Sequence, residues 1–204
     1  MQWRKISTAQ TRNIIALVIA AVGLLLVFAM SMIYRVPTIP AWDTIATPIS
    51  FFVTTFLLGT LAIGAAFVAT YWFMGRQENL KDKETQFDIL ATTLRWMALL
   101  SIALLGVQFV VIPLYLGSLA AQGSSAATTS LLYIMDGNGV LLALRLVLLF
   151  LGAGIFTLFV YLNATSEAKA RIAGNLALAA FAFVLVSEVI GRFLFYASMT
   201  RIGL

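Results

Sequence analysis

Two arginines and one glutamate stand inside long apolar stretches of this chain, at Arg145, Glu188 and Arg192. Glu188 and Arg192 are four residues apart in the favourable acid-first order, so a helix sets both on one face. A carboxylate in apolar surroundings can accept a proton, and a guanidinium can bind an oxygen. Each charge costs about 2.5–3.5 kcal/mol at the centre of a bilayer on insertion scales, so each calls for a partner or for water. Other chemistry is closed off by composition. The chain has no Cys and no His, which removes disulfides, thiolate or imidazole metal sites, His-ligated haem and nucleophile–imidazole pairs.

The elements that must position these groups follow from hydropathy. Of 204 residues, 62% are hydrophobic and only 10% are charged, and the mean hydropathy is +1.01. A soluble domain carries about 25% charged residues, so this composition points to a membrane protein and not to a soluble enzyme or a disordered chain. Five apolar stretches approach or exceed the roughly 20 residues that a helix needs to cross a bilayer. They run from Ile14 to Tyr34, Pro48 to Met74, Trp96 to Leu116, Gly139 to Leu162 and Ile172 to Tyr196. Their length excludes buried strands, and the alternation of a membrane barrel is absent. The expected fold is therefore all-α, a single bundle of five transmembrane helices. The first stretch follows Arg4, Lys5 and Arg12, but it is too long for a signal peptide and is read as uncleaved.

Basic residues orient the bundle. Arg4, Lys5, Arg12, Arg76, Lys81, Lys83, Arg95, Lys169 and Arg171 fall on one side, whereas Arg35 and Arg201 fall on the other. This bias predicts a cytoplasmic N-terminus and a C-terminus outside, and it accounts for the net charge of +5 without nucleic acid. Glu78, Asp82, Glu84 and Asp88 mark the second loop as solvated. Gly117 to Asn138, rich in Gly, Ser, Ala and Thr, reads as a flexible external loop. Trp3, Tyr34, Trp42, Trp96, Tyr115, Tyr161 and Tyr196 lie near helix ends, as an aromatic belt does. Pro113 is expected to kink the third helix. Asn163-Ala164-Thr165 fits a glycosylation acceptor pattern on the cytoplasmic side, where it is read as chance.

With this orientation and a rise of 1.5 Å per residue, Arg145 lies about 9 Å, Glu188 about 12 Å and Arg192 about 6 Å below the outer helix ends. The three charges thus sit at similar depth in the outer half. They form either an ion-pair cluster that closes the bundle, or a polar pocket for a quinol headgroup or a proton path. Gln108 and the hydroxyls of Tyr34, Tyr115 and Tyr196 can join either version.

Three segments carry a family resemblance. They are Ile39-Pro40-Ala41-Trp42 followed by Thr47-Pro48-Ile49-Ser50-Phe51-Phe52, then Leu144-Arg145-Leu146-Val147-Leu148-Leu149, and finally Ser187-Glu188-Val189-Ile190-Gly191-Arg192-Phe193-Leu194-Phe195-Tyr196. In order and approximate spacing they resemble the membrane-anchor subunit of bacterial dimethyl sulfoxide reductase, the DmsC family. Members have eight transmembrane helices with both ends outside, and this chain resembles the C-terminal five. The resemblance implies an anchor in the bacterial cytoplasmic membrane that holds a four-cluster iron–sulfur subunit and a molybdopterin catalytic subunit. It also implies that menaquinol, as substrate, supplies electrons to the iron–sulfur subunit, with no haem or metal in the anchor. The family's quinol-site His has no counterpart here. Glu188, Gly191, Arg192 and Tyr196 match the terminal motif, Arg145 the fourth-helix arginine, and Pro40 and Trp42 the first external loop. The resulting candidates are Arg145, Glu188, Arg192 and Tyr196 for quinol binding or a proton path, and Pro40, Trp42 and Asp43 for partner docking. The other reading is a non-redox membrane scaffold or a transporter component, although broken helices and internal symmetry are not evident in the sequence.

Overall fold

The computed structural model describes residues 8–75, 83–155, 157 and 167–203. Trp3, Arg4, Lys5, Arg76, Glu78, Lys81, Asp82, Tyr161 and the Asn163–Thr165 pattern lie outside these residues, and so does most of Phe156 to Leu162. Among the described residues the fold is all helical, with no strand.

Helix α1 spans Ala9–Ile33 and begins where the Thr8 hydroxyl accepts the Thr11 amide at 3.3 Å, a side-chain cap on otherwise unpaired backbone. Helix α2 spans Ala46–Gly75 and α3 spans Lys83–Ala121, continuing through Pro113. A short helix α4, Ser125–Leu132, leads into a π-helical turn π1 at Tyr133–Gly137. Helix α5, Gly139–Leu149, follows and ends in a second π-helical turn π2 at Phe150–Ile155. Helix α6 spans Glu167–Ala197. Four helices are long and apolar enough to cross a membrane. The bent pair Ser125–Gly137 and Gly139–Ile155, which turn by 70°, makes a fifth if it acts as one broken span.

The segment from Gly117 to Asn138 differs from its expected flexible loop. Helix α3 runs on to Ala121, Gly123 turns the chain with φ of 66°, and Ser124 caps α4 by accepting the Ala127 amide at 3.2 Å. Ala126, Ala127, Ser130 and Ile134 are buried. The reason is local: small residues let α4 pack closely, and a Ser cap starts the helix despite a weak apolar signal.

Helix α2 packs between α3 and α6, α6 also packs on α5 and π2, and α1 leans on α2. The main apolar core joins Leu57, Leu61 and Val68 of α2 to Leu94 and Leu105 of α3 and to Val184 of α6. A smaller cluster of Ala41, Leu119, Ala127 and Ile134 closes the end that carries the α1–α2 turn. There the Ile202 amide donates to the Thr38 carbonyl at 3.0 Å, and the Ser130 hydroxyl donates to the Ser198 carbonyl at 2.8 Å. This end is thus tied together by the α1–α2 turn, α4 and the C-terminal segment. A polar layer lies between the two apolar clusters.

Candidate functional site

Four helices supply the polar layer. On α2, Thr47, Ser50 and Thr54 follow one another at i, i+3 and i+7, which places their hydroxyls on one helix face. Helix α3 supplies Gln108 and Tyr115, α5 supplies Arg145, and α6 supplies Glu188, Gly191 and Arg192. Together they line a cavity of about 70 Å³.

Glu188 is the centre of this layer and is only 3% exposed. Its Oε2 accepts the Thr54 hydroxyl at 2.7 Å and lies 3.8 Å from Arg145 Nη2. Its Oε1 accepts from Gln108 Nε2 at 3.2 Å. Three helices therefore address one carboxylate. A buried charge survives only with such compensation, because both the attraction and the desolvation penalty grow in a low dielectric.

Arg145 is held from two directions. The Ser187 hydroxyl donates to its backbone carbonyl at 2.8 Å, which fixes α5 against α6. Gly191 makes room for the guanidinium: a Cβ added there would stand 2.5 Å from Arg145 Cζ. The glycine is thus required by the close approach of a side chain. Arg145 Nε and Gln108 Oε1 are buried without a hydrogen-bond partner.

The structure brings Arg145 and Glu188 together across two helices. Arg192 lines the same cavity, but its guanidinium lies 3.7 Å from the centre of the Phe51 ring, a cation–π arrangement. Among the described residues the ion pair of Glu188 is therefore with Arg145, not with its neighbour one turn along α6.

Tyr196 stands outside the cavity lining. Its hydroxyl is 3.0 Å from that of Tyr34, and its ring belongs to an aromatic group with Tyr34, Trp42 and Phe195. Trp42 stacks on Phe195 at 5.5 Å and donates its indole N–H to the Phe195 carbonyl at 2.8 Å. Pro40 is buried, Trp42 is half-buried, and Asp43 accepts from Arg35 at 2.6 Å. Trp42 thus turns inward and holds the α1–α2 turn to α6. Trp96, by contrast, is exposed on the bundle surface as a belt residue is.

Sequence reasoning missed Thr54. The signal was present as the hydroxyl stripe Thr47, Ser50, Thr54 on one face of a helix that also carries Thr55, Thr60 and Thr70, a spacing that only a helical projection makes visible. Among the described residues, no group of three or more His, Cys, Asp or Glu is placed to hold a metal ion.

The sequence pattern of the DMSO reductase anchor subunit, DmsC, matches residues 2–198. This chain belongs to the DmsC family. No curated protein and no solved structure matches it. As a DmsC member it is a multi-pass membrane protein and the membrane anchor of a DMSO reductase-type complex. The polar layer is then a feature of an anchor subunit, set within the helices that hold it in the membrane.

Proposed function

We propose that this anchor holds an iron–sulfur subunit and a molybdopterin catalytic subunit at the bacterial cytoplasmic membrane and passes electrons from menaquinol to the iron–sulfur subunit. The observation that carries this reading is the buried Glu188 carboxylate, bound by Thr54 and Gln108 and paired with Arg145 at the edge of a cavity inside the bundle. A menaquinol headgroup has two ring hydroxyls. Its oxidation to the quinone releases two electrons and two protons. The electrons go to the iron–sulfur clusters of the partner. Glu188 accepts the proton of one ring hydroxyl, Arg145 holds the oxygen of the other, and both protons pass on to water.

The basic-residue bias supports a cytoplasmic N-terminus, with the α1–α2 turn, α4 and the C-terminus outside. The proton then leaves on the side of that closed end. Partner docking is assigned to the same end, around Pro40 and Asp43, where Pro37, Gln122, Ser124 and Ile202 form a shallow groove with them.

The test is to assemble the anchor with both partner subunits in membranes and to measure reduction of an S- or N-oxide driven by a short-chain menaquinol. Activity that depends on the anchor supports the proposal. Complete assembly with activity only from artificial soluble donors overturns it.

A further inference from the structure

We infer that Gln108 is a specificity-determining residue that distinguishes the reduced substrate from its oxidised product, by accepting a hydrogen bond from a ring hydroxyl of menaquinol. The inference rests on the menaquinol reading above and adds to it a named contact.

A glutamine side chain has one acceptor oxygen and a nitrogen with two donor hydrogens. Gln108 is 1% exposed, and its Nε2 lies 3.2 Å from Glu188 Oε1. Glu188 Oε2 is already addressed by the Thr54 hydroxyl and by Arg145. Both carboxylate oxygens therefore act as acceptors, and turning the amide over would set oxygen against oxygen. The contact with Glu188 fixes Oε1 as the end that faces away from the carboxylate. That atom is buried and has no hydrogen-bond partner.

A second atom of the same layer is in the same condition with the opposite polarity. Arg145 Nε is a donor, buried and without a partner. Arg145 and Gln108 are both tethered to Glu188 and both line the one cavity. The layer thus offers an acceptor on Gln108 and a donor on Arg145, and the Tyr115 hydroxyl of the same cavity lining is also buried without a partner. Leaving either unmade is costly, because a buried polar group without a partner keeps its full desolvation penalty.

A hydroxyl matches this pair of atoms, since it gives one hydrogen bond and takes another. The ring hydroxyl of a quinol can accept from Arg145 Nε and donate to Gln108 Oε1. A quinone carbonyl can only accept. It satisfies Arg145 and leaves Gln108 Oε1 unmade. Oxidation of the ring therefore removes one hydrogen bond from the bound state and favours release of the product. Sites built around a substrate hydrogen bond discriminate strongly against the analogue that lacks it, for the same reason.

The experiment uses the assembled complex. The KM for a short-chain menaquinol and the competitive inhibition constant for the matching menaquinone are measured for the wild type, Gln108→Met and Gln108→Leu, with retention of the iron–sulfur subunit in membranes as the assembly control. The wild type is expected to bind the quinol about tenfold more tightly than the quinone, the worth of one buried hydrogen bond. Both variants should lose that preference through a higher KM for the quinol, while the inhibition constant of the quinone stays within about twofold of wild type.

Equal affinity of the wild type for the two forms overturns the inference, whether or not the variants assemble. So does a variant that weakens both forms equally, which is what a merely structural role produces. In these cases quinol-driven activity persists and the menaquinol reading stands. An assembled wild-type complex with no quinol-driven activity overturns both.

Discussion

Gly152 and Gly191 both lie where α6 meets the segment that carries Arg145, and they make room for different things. A Cβ at Gly152 would stand 2.8 Å from Val184 Cγ2 and 3.0 Å from the Ala180 carbonyl oxygen. The atoms nearest a Cβ at Gly191 would be those of the Arg145 guanidinium, the first at 2.5 Å. In the apolar layer the missing side chain brings two helices together, as small residues do in membrane bundles. In the polar layer it admits a guanidinium beside a carboxylate. The apolar layer can be judged by packing, and the polar layer must be judged by the partners of each charged or hydrogen-bonding atom.

Breaking the ion pair should have the largest effect. Arg145→Met leaves the Glu188 carboxylate buried without its cation, which costs about 3–5 kcal/mol. Little assembled complex should remain in membranes, read as loss of the iron–sulfur subunit from the membrane fraction. The double variant Arg145→Met with Glu188→Met should recover assembly, because an apolar pair of similar volume is close to neutral, but quinol-driven turnover should stay absent. Recovery of turnover in the double variant would show that the polar layer only closes the bundle.

The two glycines sharpen the contrast at the next level. Gly152→Ala forces helix backbones apart and should lower stability by about 1–3 kcal/mol, seen as a lower midpoint of thermal inactivation with KM unchanged. Gly191→Ala pushes the Arg145 guanidinium aside. It should raise the KM for menaquinol about tenfold, as expected when an oriented polar contact is lost, where Gly152→Ala leaves KM unchanged. Identical signatures for the two variants would remove the distinction between the layers.

The smallest expected effect is at Thr54. Thr54→Val keeps the shape and deletes one donor to Glu188. Hydrogen bonds between membrane helices average about 0.6 kcal/mol, so turnover or stability should change about threefold. A change of a hundredfold would make Thr54 a direct contact of the substrate and not a support for Glu188.

The helices were legible in the sequence because apolar length is a direct consequence of bilayer thickness. That Arg145 and Glu188 stand level with each other in the bundle was legible too, since it needs only the rise per residue and the direction of each helix. Whether Glu188 would choose Arg145 or Arg192 was not. Spacing of four residues favours Arg192, but Phe51 on α2 offers its ring face to that guanidinium and Gly191 opens the way for Arg145. Both reasons are tertiary, and a one-dimensional pattern does not contain them. Helix α4 escaped notice because Ser, Ala and Thr carry little hydropathy, although Ser124 was an available cap signal. Trp42 looked like a surface residue because aromatic residues near helix ends usually are. Its indole N–H instead found the Phe195 carbonyl, left without an intrahelical partner near the end of α6.

The central claim is that the polar layer takes protons from menaquinol, and Glu188→Gln in the assembled complex tests it most directly. The substitution keeps the shape of the side chain and removes its ability to act as a base. Quinol-driven turnover is predicted to fall about a hundredfold, the usual contribution of a positioned base, while the iron–sulfur subunit stays bound to the membrane. Turnover within twofold of wild type in an assembled Glu188→Gln complex would contradict the account.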